Sequence, residues 1–224
     1  MGLILNLETA TTNCSVCLAK EGEIIALREN NTPNYSHAEQ LHVFIQECLH
    51  EANYLPNDLD AIAVSKGPGS YTGLRIGVSA AKGLCFALDV QLISVATLDS
   101  MASQLKIAED EYIIPVLDAR RLEVYSAVFD SHLNEIRETR AEIIEEYSFH
   151  DYLKNNKVHF LGSGAEKIKS ILSNPNAEFD VKSVPSSKEM AALSDVKFKS
   201  KDFEDVAYFE PYYLKDFMGS KKKD

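Results

Sequence analysis

Long hydrophobic runs and an excess of basic residues are both absent from this sequence of 224 residues. Asp and Glu number 34 against 23 Lys and Arg, which leaves a formal net charge of −11 at pH 7. An acidic surface repels phosphate backbones, so the composition disfavours tight binding of nucleic acid by this chain alone. No apolar run reaches the length of a membrane span, and no basic segment precedes a long apolar one at the N-terminus. We therefore expect a cytoplasmic protein without a membrane segment.

Residue patterns of common metal and hydrolase sites are also missing. Among the four cysteines, Cys14 and Cys17 form a C-x-x-C pair, but a second pair that would complete a zinc site is absent. No two of the six histidines are four residues apart, and no G-x-S-x-G motif occurs. We therefore predict buried free thiols, no metal site and no serine nucleophile.

The order of predicted elements in the first hundred residues is βββαβαβ. A helix is predicted to begin at Ser36, where Ser36 and Glu39 fit a capping box. A second helix is predicted at residues 72–88 from its apolar spacing. Alternating or buried apolar patterns predict strands at residues 3–7, 13–19, 24–28, 61–65 and 91–95.

The second half repeats the βββαβα order in degenerate form. Its strands are predicted at residues 113–117, 123–130, 134–144 and 158–161. Its helices are predicted at residues 98–105, 147–155, 165–172 and within 183–201. We therefore expect an α/β protein with two lobes, at residues 1–100 and 101–206. A C-terminal segment at 207–224 carries five aromatic residues, and we expect it to pack back onto the body.

Residues 66–83 hold five glycines, two in the turn after a predicted strand and three within the predicted helix at 72–88. The turn at residues 67–70 could present backbone N–H groups to a phosphate at the helix N-terminus. The spacing matches neither G-x-x-x-x-G-K-[ST] nor G-x-G-x-x-G, so this motif is weak. Alternatively, Pro68 and the glycines only set a sharp turn.

The predicted helix at 72–88 carries a second stripe of small and apolar residues beside its core stripe. Each glycine in a helix costs about 1 kcal/mol relative to alanine, so close packing should offset that cost. The residues alone support two explanations equally: packing against the preceding helix of the same lobe, or a platform for a partner subunit. The stripe consists of Gly73, Gly77, Ala80, Leu84 and Ala87.

Several motifs together resemble the TsaB family of bacterial proteins for threonylcarbamoyladenosine biosynthesis on tRNA. The most specific is Gly67-Pro68-Gly69-Ser70-Tyr71-Thr72-Gly73-Leu74-Arg75-Ile76-Gly77, which is similar to the family signature. The other matching segments are residues 4–11, 14–16, 36–41, 118–125 and 211–214, so the resemblance spans nearly the whole chain.

The resemblance implies an actin-like, sugar-kinase-type fold with two ribonuclease-H-like lobes, the second degenerate. It implies a cytoplasmic, non-catalytic scaffold that binds a TsaD-like catalytic paralogue assisted by a TsaE-like ATPase. Such a scaffold would form a homodimer when alone and would meet tRNA only through the complex. The implied partner-interface residues are Ser36, His37, Leu41, Ile45, Thr72, Gly73, Arg75, Ile76, Gly77, Ala80, Lys82 and Leu84.

The same superfamily contains kinases, whose acidic loop residues correspond by position to Glu8 and Asp118. The hairpin after Glu8 lacks the glycine usual in a phosphate-binding turn, and Asp118 could simply pair with Arg120 or Arg121. Candidate residues for residual nucleotide contact, with ATP or ADP at the subunit interface, are Glu8, Thr9, Gly67, Gly69, Asp118, Gly162 and Gly164.

The metal-binding histidines of the catalytic paralogue correspond by position to Thr97 and Met101, which are poor ligands. The resemblance therefore predicts a chain without its own catalysis. The alternatives are a small-molecule kinase or ATPase of this fold and, third, a metal-dependent peptidase.

Overall fold

The computed structural model describes residues 2–33 and 36–215. Ten strands and six helices are labelled here in chain order. The strands of the first sheet are β1 (Leu3–Glu8), β2 (Asn13–Lys20), β3 (Glu23–Asn31), β4 (Ala61–Gly67) and β5 (Gln91–Ala96). The strands of the second sheet are β6 (Tyr112–Asp118), β7 (Glu123–Phe129), β8 (Glu135–Ile143), β9 (Val158–Leu161) and β10 (Ala177–Asp180). The helices are α1 (His37–Glu51), α2 (Tyr71–Leu88), α3 (Thr97–Ala102), α4 (His150–Leu153), α5 (Ala165–Ile171) and α6 (Ser187–Ser200).

The two sheets have the same topology. The first sheet has the order β3-β2-β1-β4-β5. The second sheet, written from its other edge, has the order β8-β7-β6-β9-β10, so its five strands take the same places in chain order as those of the first. In each sheet the first three strands are antiparallel neighbours, and the fourth and fifth continue in parallel from the first. The predicted fold class, two ribonuclease-H-like lobes in an α/β protein, is confirmed.

Every residue of β1 is buried because helices cover both faces of the first sheet. On one face, Leu41 of α1 and Val78 of α2 pack with Leu5 of β1. On the other face, Met190 of α6 packs against Ile4 of the same strand. Side chains alternate along a strand, so neighbouring residues of β1 belong to different cores.

Helix α3 contacts both sheets, and α6, which lies on the first sheet, packs against α3. In α3, Leu98 and Met101 pack against Ile113 and Leu117 of β6, whereas α6 packs against the first sheet. The chain therefore returns to the first lobe before residue 206. The sequence analysis placed α6 in the second lobe, at residues 101–206. In the structure α6 packs with the first lobe instead, because its buried face lies against β1, β2 and β5.

Several local predictions need correction. The capping box at Ser36 does not form, because the Ser36 hydroxyl donates to Gln40 Oε1 at 2.9 Å instead of capping a backbone N–H. The helix predicted at 147–155 is the single turn α4, and β10 was not predicted. The four cysteines are buried and free, as predicted.

Residues 207–213 of the C-terminal segment lie against the first lobe, whereas Lys215 donates to Ala119 O at 3.3 Å and pairs with Glu123 in the second lobe. Phe209 belongs to the core between α1, α2 and the first sheet, and Tyr212 N–H donates to Lys66 O at 2.7 Å. The predicted remainder of this segment, residues 216–224, lies outside the described residues. No helix within the described ranges is long and apolar enough to cross a bilayer.

Candidate docking face and phosphate hairpin

Helix α2 presents an exposed face that borders a groove on the outer surface of the first lobe. Its buried face is formed by Leu74, Val78, Ala81 and Cys85, at helical spacing. The opposite face lines a groove of about 700 Å³ with one contribution from α1. We call this the α1–α2 groove, and it is lined by His42, Tyr71, Thr72, Arg75, Ile76, Ser79, Ala80, Gly83 and Leu84.

Small residues on α2 leave space beside this groove for another backbone. A Cβ atom placed on Gly83 would have no atom within 4 Å, so this glycine faces open space. Phe86, one helical turn beyond Gly83, is 85% exposed. A large aromatic side chain in water beside an apolar groove is typical of a surface that another protein covers.

The glycines Gly73 and Gly77 do not lie in this groove. A Cβ atom on Gly73 would come 2.1 Å from Thr9 O, and one on Gly77 would come 2.3 Å from Thr9 Oγ1. The Thr9 hydroxyl also donates to Gly73 O at 2.8 Å. These glycines allow the β1–β2 hairpin to pack against α2 within the same lobe. The expectation that they admit a foreign helix is therefore wrong for these two positions, and their contact is with Thr9 rather than with α1.

The other residues of the predicted interface divide by burial. His37, Leu41 and Ile45 are buried inside the lobe, and half-buried Ser36 bonds to Gln40. Five predicted residues do line the groove: Thr72, Arg75, Ile76, Ala80 and Leu84. That this surface binds a partner stays a prediction. The sequence analysis missed His42, Tyr71, Ser79, Gly83 and Phe86, although helical spacing from Thr72 and Arg75 could have found those on α2.

Lys82, another predicted interface residue, holds the C-terminal segment. Its Nζ donates to Ala207 O at 3.1 Å and to Phe209 O at 3.0 Å. Farther along the segment, the Tyr213 hydroxyl accepts from Arg75 Nε at 3.3 Å. The Tyr213 ring lies 4.9 Å from the ring of Tyr71, between centroids. The C-terminal segment therefore borders one end of the α1–α2 groove.

The β1–β2 hairpin, where a kinase of this fold would hold phosphate, is filled by the side chain of Glu8. Glu8 Oε1 accepts from Ala10 N–H at 2.6 Å and from Ser65 Oγ at 2.8 Å. Burial raises the pKa of Glu8 to about 7. A carboxylate already occupies a donor that a phosphate would need, so this arrangement does not suit a phosphate group.

The glycine turn after β4 closes over the same hairpin. Ser70 N–H donates to Ala10 O at 2.6 Å, and a Cβ atom on Gly69 would come 2.4 Å from that oxygen. Gly67, with φ of +106°, lies against the backbone of Tyr212. The turn thus packs against its own chain, which agrees with the alternative explanation that these glycines serve to form a sharp turn.

In the second lobe, the candidate nucleotide residues also have partners within the lobe. Asp118 Oδ1 accepts from Lys167 Nζ at 2.7 Å and from Arg120 N–H at 2.6 Å, so its ion pair is with Lys167 and not with an arginine. Gly162, with φ of +115°, approaches Val116 O, and Gly164 approaches Leu117. Nucleotide contact by these residues stays a prediction.

Thr97 and Met101, at the positions of the paralogue's metal ligands, are buried in α3. Among residues 2–33 and 36–215, no group of three or more His, Cys, Asp or Glu side chains is placed to hold a metal ion.

Two lobes with this strand order, with α3 in contact with both sheets, define an actin-like ATPase class of fold. Within that class, this chain has a β1–β2 hairpin filled by Glu8 and an exposed helical groove. A comparison with protein families finds that residues 32–217 match the family described as TsaD, tRNA N6-adenosine threonylcarbamoyltransferase.

Similar proteins agree with this match. A protein of Haemophilus influenzae named tRNA threonylcarbamoyladenosine biosynthesis protein TsaB is 28% identical over 98% of this chain and 96% of its own. The Bacillus subtilis protein of the same name is 34% identical over 56% of this chain and 54% of its own. A Pseudomonas aeruginosa crystal structure, described as uncharacterized with similarity to peptidase YEAZ, has a TM-score of 0.84 and 26% identity, covering 96% of this chain and 100% of that chain. The chain therefore belongs to the TsaD family of tRNA N6-adenosine threonylcarbamoyltransferases, in which it groups with the TsaB proteins.

Proposed function

We propose that this chain is a non-catalytic scaffold subunit in the biosynthesis of threonylcarbamoyladenosine on tRNA. In this proposal it binds a TsaD-like catalytic paralogue through the α1–α2 groove. The observation that carries the proposal is an exposed helical face with Gly83 open to solvent and Phe86 uncovered. Its curated relatives are named for this pathway, which supports the choice of partner.

The filled hairpin supports the non-catalytic part of the proposal. Glu8 and the turn at Gly69 occupy the place where a kinase of this fold would bind phosphate. The net charge of −11 supports a role in which other subunits supply the basic surface for tRNA. A TsaE-like ATPase, a homodimer of the free chain and a cytoplasmic location complete the proposal.

The direct test places a bulky side chain in the groove where the fold has room for it. Gly83→Trp should abolish binding to the purified TsaD-like paralogue, measured by calorimetry, and formation of the modified nucleoside by the reconstituted complex. The matched control is Val196→Trp on α6, whose residue is 65% exposed on a different helix. Both variants should keep the circular dichroism spectrum of the parent chain. Unchanged affinity of Gly83→Trp for the paralogue would refute the docking face.

The kinase or ATPase alternative has its own measurement. The isolated chain should show no ATP turnover above a buffer blank. Turnover that Asp118→Ala removes would overturn the non-catalytic assignment, because Asp118 is the acidic residue that a kinase of this fold would use in its second lobe.

A further inference from the structure

Arg75 lies at the end of the α1–α2 groove in an arrangement that fixes its guanidinium. Its Cζ atom lies 4.2 Å from the centroid of the Tyr71 ring, a cation–π distance. Its Nε donates to the Tyr213 hydroxyl at 3.3 Å. One ring therefore covers a face of the guanidinium, and the C-terminal segment holds the nitrogen nearest the side-chain stem.

The hydrogen bond to Tyr213 involves Nε of Arg75 and neither of its two terminal amino groups. They form no ion pair with any carboxylate in the part of the chain that the structure describes, and Glu210 acts on the Arg75 charge only at longer range. The residue is exposed, and it borders a groove whose other walls include Ile76, Ala80 and Leu84. A fixed cation with two free donors thus stands beside an apolar surface.

The free pair of donors determines which group would bind best. A guanidinium offers parallel N–H groups in one plane, and a carboxylate accepts them in a bidentate geometry. The first turn of α2 also favours an anion through the helix dipole. An amphipathic helix with apolar residues in the groove and Asp or Glu at its edge would satisfy both surfaces.

Resting on the proposed docking function, we propose that Arg75 anchors a carboxylate of the docked partner, with Tyr71 and Tyr213 as its positioning residues. The docking surface then includes the C-terminal segment, which Lys82 fastens across α2 through two backbone carbonyls. Tyr213 lies 138 residues from Arg75 in the chain, so this anchor exists only in the folded protein.

The test measures affinity for the purified TsaD-like paralogue by calorimetry at low and high salt, first without nucleotide and then with ATP added. Arg75→Gln should weaken binding about tenfold at low salt and reduce its salt dependence, because it removes one charge at the edge of the interface. Arg75→Lys should recover part of the loss, since it restores the charge without the planar fork. Tyr213→Phe should weaken binding about threefold with an unchanged melting temperature, because it removes only the hydroxyl that orients Arg75.

Two controls make the result specific. Tyr208→Phe, at an exposed tyrosine of the same segment, should bind like the parent chain. Tyr213→Phe should have no further effect in the Arg75→Gln background, because Tyr213 acts through Arg75.

Three outcomes would overturn the anchor. Affinity of Arg75→Gln within twofold of the parent at both salt concentrations, with Gly83→Trp unable to bind, would refute the anchor and leave the docking face standing. Unchanged affinity in both variants would refute both proposals. A loss in Arg75→Gln that occurs only when ATP is added would show that the group on Arg75 is a phosphate.

Discussion

The packing of Gly73 against the β1–β2 hairpin can be tested with two alanine substitutions in one helix. Gly73→Ala would place a Cβ atom 2.1 Å from the backbone oxygen of Thr9. Gly83→Ala, in the same helix, would place a Cβ atom with no neighbour within 4 Å. Both changes gain the same helix propensity, about 1 kcal/mol, so their difference measures the contact with Thr9.

The expected magnitude follows from three contributions. Moving the hairpin away from the new methyl group costs about 1–3 kcal/mol, as for other overpacked sites. The shift also weakens the hydrogen bond from the Thr9 hydroxyl to Gly73 O, which contributes about 1 kcal/mol. After the gain in propensity, Gly73→Ala should lower the free energy of unfolding by about 2 kcal/mol. Gly83→Ala should raise it by about 1 kcal/mol.

Urea unfolding followed by circular dichroism at low protein concentration would measure these changes without a contribution from association. Thermal melting should agree, with Gly73→Ala lowering the melting temperature by about 4–8 °C. Equal stability of Gly73→Ala and Gly83→Ala would refute the assignment of Gly73 to the hairpin contact.

Two further predictions concern Glu8 and Lys82. Burial raises the pKa of Glu8 from 4.5 to about 7, so the stability this acid contributes is present at low pH and is lost as pH rises through 7. The difference in the free energy of unfolding between Glu8→Gln and the parent chain should therefore shift in favour of the variant by up to about 3 kcal/mol from pH 5 to pH 8. A difference that does not change with pH would contradict this. Lys82→Met removes two hydrogen bonds to the C-terminal segment, so proteolysis near Phe209 should be faster than in the parent chain, as measured by mass spectrometry. The control Lys169→Met, at an exposed lysine, should be cleaved at the same rate as the parent chain. Equal cleavage of both variants would show that Lys82 does not fasten the segment.

The sequence predicted elements well where the pattern of burial is local. Residues 72–88 have the spacing of an amphipathic helix, and α2 begins one residue earlier and ends at the same residue. β10 was missed because its burial alternates only between half-buried and exposed, and its pairing with β9 brings together residues about twenty positions apart. In place of the helix predicted at 147–155 the structure has only the four residues of α4, because the local sequence pattern does not show where the chain turns toward β9.

The candidate site was predictable only in part for the same reason. Helical periodicity identifies which residues of α2 share a face, and Ala80 and Leu84 were found in this way, whereas Thr72 and Arg75 were implied by the family resemblance. It does not show which face meets the sheet hairpin, so Gly73 and Gly77 were assigned to the wrong neighbour.

The class of fold, the family and the helix that carries the groove could all be inferred from the amino-acid sequence, because these depend on spacing and on a specific motif. Three contacts became visible only in the folded chain: Thr9 packs against the helix glycines, Glu8 fills its own hairpin and Tyr213 orients Arg75. The two long-range contacts join residues 64 and 138 positions apart, and no local pattern encodes which distant segment fills a given space.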